Sequence, residues 1–279
     1  MCAAEVDIPS HRISSAQISS NVRIWYVPHS QTADHCGTLT KDDIAEFASI
    51  RNFQKRQRSL ATRSVLRIAL SEAAGGRTAP HEWRFDRSDA GKPGLAGGSG
   101  ELNFSCSHTP WASVVAVSTA GPIGVDIENA FIPATEEWLH DVFTPTERAA
   151  LSEMGMEERE RAVSRLWALK EAYLKMLGTG IAEASTVAFD PRSNRLCPEH
   201  RNRESAPVTF RAWIAKCQGQ RLSVAISMGG VREDEAPRHQ LIEEARVCIR
   251  AKLAIAQNRE DARASAPAPL FRTPSAAAA

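Results

Sequence analysis

The chain lacks most of the features that assign a function at a glance. None of its six cysteines (Cys2, Cys36, Cys106, Cys197, Cys217 and Cys248) stands in a CxxC pair. Their wide scatter offers neither a zinc-ligand spacing nor a disulfide framework, so reduced thiols in a cytoplasmic protein are expected. Charge of one sign is not in excess: 34 Lys and Arg against 33 Asp and Glu leave +1, which points to no nucleic acid and no membrane as partner. No stretch approaches the roughly 20 apolar residues of a membrane span. The opening MCAAEVDIPSHRISS carries early acidic residues and no apolar run, which argues against a secretory signal. A phosphate loop of the GxxxxGK[ST] kind is missing, and GGSG (97–100) has neither the lysine nor the strand-to-helix setting of one. What is present is a 279-residue chain, 43% hydrophobic, long enough for one large or two small domains.

The order of patterns suggests an α+β protein. Residues 1–20 are polar and Ser-rich and read as a flexible N-terminus. VRIWYVP (22–28) alternates like a strand. A helical region is expected from Lys41 to Ala74, opening after Thr40 as a cap and closing at Gly75-Gly76. ASVVAVS (112–118) and PIGVDIE (122–128) read as a hairpin around Thr119-Ala120-Gly121. Helical patterns return after Pro133 and from Thr144 to Leu177, and strand candidates follow near 186–189, 208–214 and 222–227. Strand, helix and strand thus recur on both sides of about residue 120, which fits two similar halves. The expected division is an N-terminal α+β subdomain over 21–120, a C-terminal α+β subdomain over 121–229, and an appended helix with a disordered Ala/Pro/Ser-rich tail over 230–279.

Two stretches carry chemistry. In IGVDIE (123–128), strand alternation turns Ile123, Val125 and Ile127 toward a core and sets Asp126 and Glu128 together on the other face. Their Cα atoms lie roughly 6–7 Å apart. Two such carboxylates call for a compensating cation, and a hard divalent metal is the natural one; a solvated acidic edge strand is the alternative. In RLWALKEAYLKMLGTGI (165–181), Leu166, Leu169, Tyr173, Met176 and Leu177 repeat at helical spacing toward a core. Trp167, Glu171 and Lys175 form a separate stripe, and Gly178 supplies a helix stop. Glu171 with Lys175 also reads as a surface pair worth a few tenths of a kcal/mol. Taken with IGVDIE, however, Glu171 supplies a third carboxylate and Lys175 a cation for phosphate oxygens, the usual equipment of Mg²⁺-assisted phosphoryl transfer.

The ordered pair of stretches resembles the Sfp-type 4′-phosphopantetheinyl transferases, whose signatures look like (V/I)G(V/I)D(I/V)E and (F/W)xxKE(A/S)xxK about forty residues apart. GKPGL (91–95) resembles that family's GKP turn. NFSCSHT (103–109) resembles its FNxSHS segment, with Thr109 in place of the last serine. The resemblance covers about residues 20–228. It implies a pseudo-two-fold arrangement of two similar α/β subdomains on one chain, hence a monomer. It also implies transfer of the phosphopantetheine arm of coenzyme A to a serine of an apo acyl or peptidyl carrier protein, with adenosine 3′,5′-bisphosphate as the other product. In that reading Asp126, Glu128 and Glu171 hold Mg²⁺ or Mn²⁺. Lys175 neutralises phosphate, and Glu171 is the candidate base, directly or through water. Arg67, Lys92, Pro93, Ser107 and His108 contact coenzyme A, with Arg63 sharing the work of Arg67. Glu147 is a second candidate base, although Thr144-Pro145-Thr146-Glu147 reads more simply as a capping box. A non-catalytic module that binds coenzyme A or a carrier protein is the alternative function.

Overall fold

The computed structural model describes residues 5–9, 13–29, 36–88, 91–97, 102–132, 135–197 and 207–231. Period-two alternation builds two four-stranded sheets. The first has the order β2 (Ser14–Ser19), β3 (Val22–Pro28), β7 (Ala112–Ser118) and β6 (Asn103–His108), antiparallel throughout. The second has the order β1 (Glu5–Asp7), β9 (Val208–Cys217), β10 (Gln220–Gly229) and β8 (Ile123–Asn129), with β1 parallel to β9. Val22, Ile24 and Tyr26 of β3 join Ile123, Val125 and Ile127 of β8 and Leu222, Val224 and Ile226 of β10 in one core between the sheets. Each of these side chains is fully buried, and such burial stabilises by roughly 1.5–3 kcal/mol apiece.

The opposite face of each sheet is covered by a long helix. Trp25 and Val27 of β3 pack with Val65, Leu66, Ala69 and Leu70 of α2 (Phe53–Ala73). Ala225 of β10 packs with α5 (Met156–Leu177). The layers therefore run helix, sheet, sheet, helix. A short hairpin of β4 (Phe85–Arg87) and β5 (Pro93–Leu95) lies beside the first sheet. Three shorter α-helices are also present among the described residues: α1 (Lys41–Ala48), α3 (Glu136–Val142) and α4 (Pro145–Ser152).

Several expectations meet different outcomes. The mixed α+β class holds. The helical region 41–74 is two helices, because Asn52 accepts a hydrogen bond from Lys55 N and caps a fresh start. Thr40 and Gly178 cap as expected, Gly178 at φ 79°. The supposed loose segment 1–20 instead supplies β1 and β2, whose Val6, Ala16 and Ile18 reach the central core. The expected hairpin of 112–118 with 122–128 does not form. Strand β7 is buried along its length and flanked on both edges, by β3 and β6, while β8 pairs with β10. Ser118 Oγ accepts from Ala120 N and Gly121 N, and this turn carries the chain from the first sheet into the second. The helix and tail expected beyond residue 230 lie outside the described residues, apart from Val231.

Candidate active site

Strand β8 and helix α5 meet at a glycine. A methyl group on Gly124 would stand 1.8 Å from Ala172 O and 2.5 Å from Met176 N, so only hydrogen lets the helix backbone lie this close to the strand. That approach, together with alternation along β8, turns Asp126 and Glu128 toward the helical stripe of Trp167, Glu171 and Lys175. Lys175 Nζ donates to Asp126 Oδ1 at 2.6 Å and to Ser107 Oγ at 3.1 Å. Ser107 Oγ donates to the same Asp126 oxygen at 2.7 Å. Glu171 lies 3.5 Å from Lys175, so one ammonium stands between two carboxylates, one from the strand and one from its own helix. Trp167 Nε1 donates to Glu128 Oε1 at 3.3 Å. The site thus joins both sheets, since Ser107 sits on β6 and Asp126 on β8; Val125 N donates to Ser105 Oγ alongside at 3.0 Å.

The charge balance is incomplete. Asp126 Oδ2 is buried and meets no donor among the described residues. Burial and the Asp126 charge push the Glu128 carboxyl up to about 7. Burial and Asp126 likewise raise Glu171 against the pull of Lys175. Burial works against the Lys175 ammonium, but Asp126 and Glu171 outweigh it and hold the group charged. No trio of His, Cys, Asp or Glu among the described residues converges closely enough to hold a metal ion. The cation between Asp126 and Glu171 here is the lysine itself.

Glu171 and Lys175 line a cavity of about 360 Å³. Its other walls come from α2 (Thr62, Arg63, Leu66), the β4–β5 hairpin (Arg87, Lys92, Pro93) and β6 (Phe104, Cys106, His108). Lys92, Pro93 and His108 line one cavity together with Glu171 and Lys175. Lys92 also has a structural bond: its Nζ donates to Met176 O at 2.9 Å, closing the C-terminus of α5. Burial lowers the pKa of Lys92. Burial, with the charges of Arg58, Lys55 and Lys175, does the same to His108.

Two sequence expectations are corrected or decided by burial. Arg67 is not in the cavity wall; only 2% exposed, it lies in the interior. Its guanidinium pairs with Asp43 at 2.7 Å and donates to the carbonyls of Pro80 and Trp83 at 2.8 and 2.9 Å. The two arginines share one face of α2 and both pair with Asp43, so position along the axis separates them: Arg67, one turn on, also reaches the Pro80 and Trp83 carbonyls, and Arg63 reaches the cavity. Glu147 forms the capping box of α4 with Thr144, and its other oxygen accepts from Phe189 N at 2.9 Å. It also pairs with the fully buried Lys170 at 2.6 Å, which ties it to structure rather than to the site.

Sequence reading missed Arg87 and Phe104 in the cavity wall, and Glu46, which pairs with two arginines of that wall. Glu46 bridges the arginines Arg63 and Arg87 at 2.9 and 2.7 Å. A signal for Arg87 was present: treating RFDRSDAGKPGL as a hairpin sets Arg87 opposite Pro93, which is the observed register.

The profile of the 4′-phosphopantetheinyl transferase superfamily matches residues 122–227, which include β8 and α5. The chain is 31% identical to 4′-phosphopantetheinyl transferase HetI of Nostoc sp. over 179 residues, 61% of this chain and 74% of that protein. It is 28% identical over 241 residues to a phosphopantetheinyl transferase of Thraustochytrium sp., 78% of this chain and 82% of the relative. A third similar protein is the L-aminoadipate-semialdehyde dehydrogenase-phosphopantetheinyl transferase of Eremothecium gossypii, 32% identical over 144 residues, half of this chain.

Proposed function

We infer the reaction from the family, for this chain belongs to the 4′-phosphopantetheinyl transferase superfamily: as an Sfp-type, holo-synthase enzyme it moves the 4′-phosphopantetheine arm of coenzyme A to a serine of an apo carrier protein. The serine oxygen forms a bond to the phosphorus that bears the pantetheine. The bond from that phosphorus to the bridging pyrophosphate oxygen breaks, and adenosine 3′,5′-bisphosphate leaves with the electron pair. The reading draws most support from one arrangement. A buried Asp126 with an orphaned oxygen shares Lys175 with Glu171 at the wall of a single cavity.

Each side chain has a task that its surroundings suit. Lys175 is held charged by two carboxylates and meets the pyrophosphate oxygens as a compact point charge. Glu171, its pKa raised by burial, takes the proton of the attacking hydroxyl, directly or through water; a raised carboxylate is a stronger base at neutral pH. Ser107 holds Asp126 in register across the two sheets. Lys92 and His108 contribute donors to the phosphates from the facing wall.

The donor chemistry also suits a hard divalent cation, although the three carboxylates do not converge on one point in this arrangement: one has a buried oxygen with no partner among the described residues, and two are raised in pKa by burial and by the Asp126 charge. Asp126, Glu128 and Glu171 would hold Mg²⁺, or Mn²⁺ in its place, and the ion when bound draws charge from the phosphate oxygens. Strand β6 of one sheet and β8 of the other both reach this site on one chain, so a monomer suffices. No helix among the described residues is long and apolar enough to cross a membrane, and action in the cytoplasm suits the reduced thiols. The test is mass spectrometry of apo carrier proteins incubated with the enzyme, coenzyme A and Mg²⁺. The expected outcome is the gain of one phosphopantetheine on one serine. An unmodified carrier across acyl and peptidyl classes would sink the reading.

A further inference from the structure

The cavity wall holds two separate charge clusters. In one, Lys175 stands among Asp126, Glu171 and Ser107. In the other, Arg63 and Arg87 converge on Glu46. Arg63 is committed on all sides. It pairs with Asp43 at 3.0 Å and Glu46 at 2.9 Å, and its guanidinium lies 4.1 Å over the Phe85 ring and 5.1 Å over Phe47. Arg87 is 54% exposed, pairs with Glu46 at 2.7 Å and donates to Gly91 O at 3.1 Å. Both arginines line the cavity; Glu46 does not line it but holds donors of both. A carboxylate shared by two guanidiniums beside a ligand wall takes up donors that a bound anion would otherwise use.

We propose that Glu46 is an internal competitor for the terminal phosphomonoester of the coenzyme donor: it restrains Arg87, and to a lesser degree Arg63, and so sets how strongly the enzyme distinguishes coenzyme A from donors lacking the 3′-phosphate. The inference rests on the proposed transfer from coenzyme A, which carries two phosphate groups far apart. The pyrophosphate must lie at Lys175 and Glu171, where the bond breaks. The arginine cluster is left for the phosphomonoester, a dianion that a bidentate guanidinium suits. Glu46 is a positioning and specificity residue: it touches no reacting atom and acts through the arginines.

Steady-state transfer with coenzyme A and with 3′-dephospho-coenzyme A tests this, beside calorimetric binding of adenosine 3′,5′-bisphosphate and of adenosine 5′-monophosphate. Glu46→Gln is expected to lower KM for coenzyme A about two- to fivefold, the size of a released surface ion pair. The turnover number stays the same, and KM for the dephospho donor does not move. Arg87→Gln raises KM for coenzyme A and narrows the preference between the donors. Should Glu46→Gln fold poorly, Glu46→Asp, one methylene shorter, shifts the ratio in the same direction by less. Equal shifts for the two donors, no shift, or weaker binding of coenzyme A overturns the proposal. If no carrier is modified yet Glu46→Gln tightens the bisphosphate and leaves the monophosphate unchanged, the transferase reading fails and the role of Glu46 stands. A chain that binds neither nucleotide refutes both.

Discussion

Helices α2 and α5 each cover the outer face of one sheet, and each carries one cation sealed in the interior and one at the cavity. In both halves an eight-residue helix opens on a threonine cap whose third residue is a buried acid, Asp43 in α1 and Glu147 in α4. The following long helix drives a cation onto that acid. Arg67 of α2 meets Asp43 and two carbonyls. Lys170 of α5 meets Glu147 and the carbonyls of Val142, Ala184 and Val187 at 2.6–3.0 Å. Burial works to raise Asp43, but the Arg67 and Thr40 contacts bring it below its usual value. The halves part at the second cation. Arg63 is fully engaged between two carboxylates and two rings, whereas Lys175 shares carboxylates that repel each other and leave a buried oxygen with no donor among the described residues. A completed pair holds the fold together, and an incomplete one is where substrate and metal are expected to enter.

The strongest way to break this comparison is to push α5 off β8. Gly124→Val places a side chain on Ala172 O and is expected to cost about 3 kcal/mol and to abolish transfer, read by thermal melts and carrier mass spectrometry. Next come the sealed cations. Lys170→Met leaves Glu147 buried without its cation, whereas Arg67→Met strips Asp43 of one of its two arginines and leaves Arg63 in place. The first is expected to destabilise by about 3–5 kcal/mol in urea unfolding and the second by less, and the double variant Lys170→Met/Glu147→Gln to recover part of the first loss. Any Arg67→Met protein that folds should keep its KM for coenzyme A, because that guanidinium is not in the cavity wall. A large rise in that KM would restore Arg67 to coenzyme binding.

Site variants should behave in the opposite way. Glu171→Gln is expected to lower turnover about 10²–10⁴-fold, the usual weight of a positioned general base, while unfolding at an unchanged denaturant concentration. Lys175→Met should lower turnover as well. If it altered only the affinity for the carrier protein, the lysine would belong to docking. The smallest effect is pH-dependent and lies in the first half. Burial holds the His29 imidazole down to about 4, with Nδ1–H donating to Pro110 O and Nε2 accepting from Ser113 Oγ. Folding there favours the neutral ring, so its contribution is complete above the ordinary value near 6.5 and is lost as pH falls through about 4. His29→Asn should flatten stability between those limits, measured by urea unfolding at pH 7 and pH 4.5.

Much of the site was legible because it follows period. Alternation in IGVDIE placed Asp126 and Glu128 away from the core formed by Ile123, Val125 and Ile127. Helical spacing put Trp167, Glu171 and Lys175 on one stripe, and capping chemistry at Thr40, Thr144 and Gly178 marked helix ends. The turn after β7 was misread because 112–118 and 122–128 alternate equally well. Which edge a strand pairs along depends on partners distant in sequence, β3 and β6 for β7 and β10 for β8. Arg63 and Arg67 are both basic residues of one helix, one turn apart, and nothing local says that both are buried and that only Arg63 lines the cavity.

The sequence by itself determined which faces of β8 and α5 are polar and that three acids and a lysine lie on them, since periodicity is a local property of the chain. Only the tertiary structure decided the fate of each charge. Arg67 and Lys170 became interior struts, Lys175 became the bridge between Asp126 and Glu171, and Glu46 came to pair with two arginines of the cavity wall. Burial and ion pairing depend on which distant segments pack together, and no spacing along the chain encodes that.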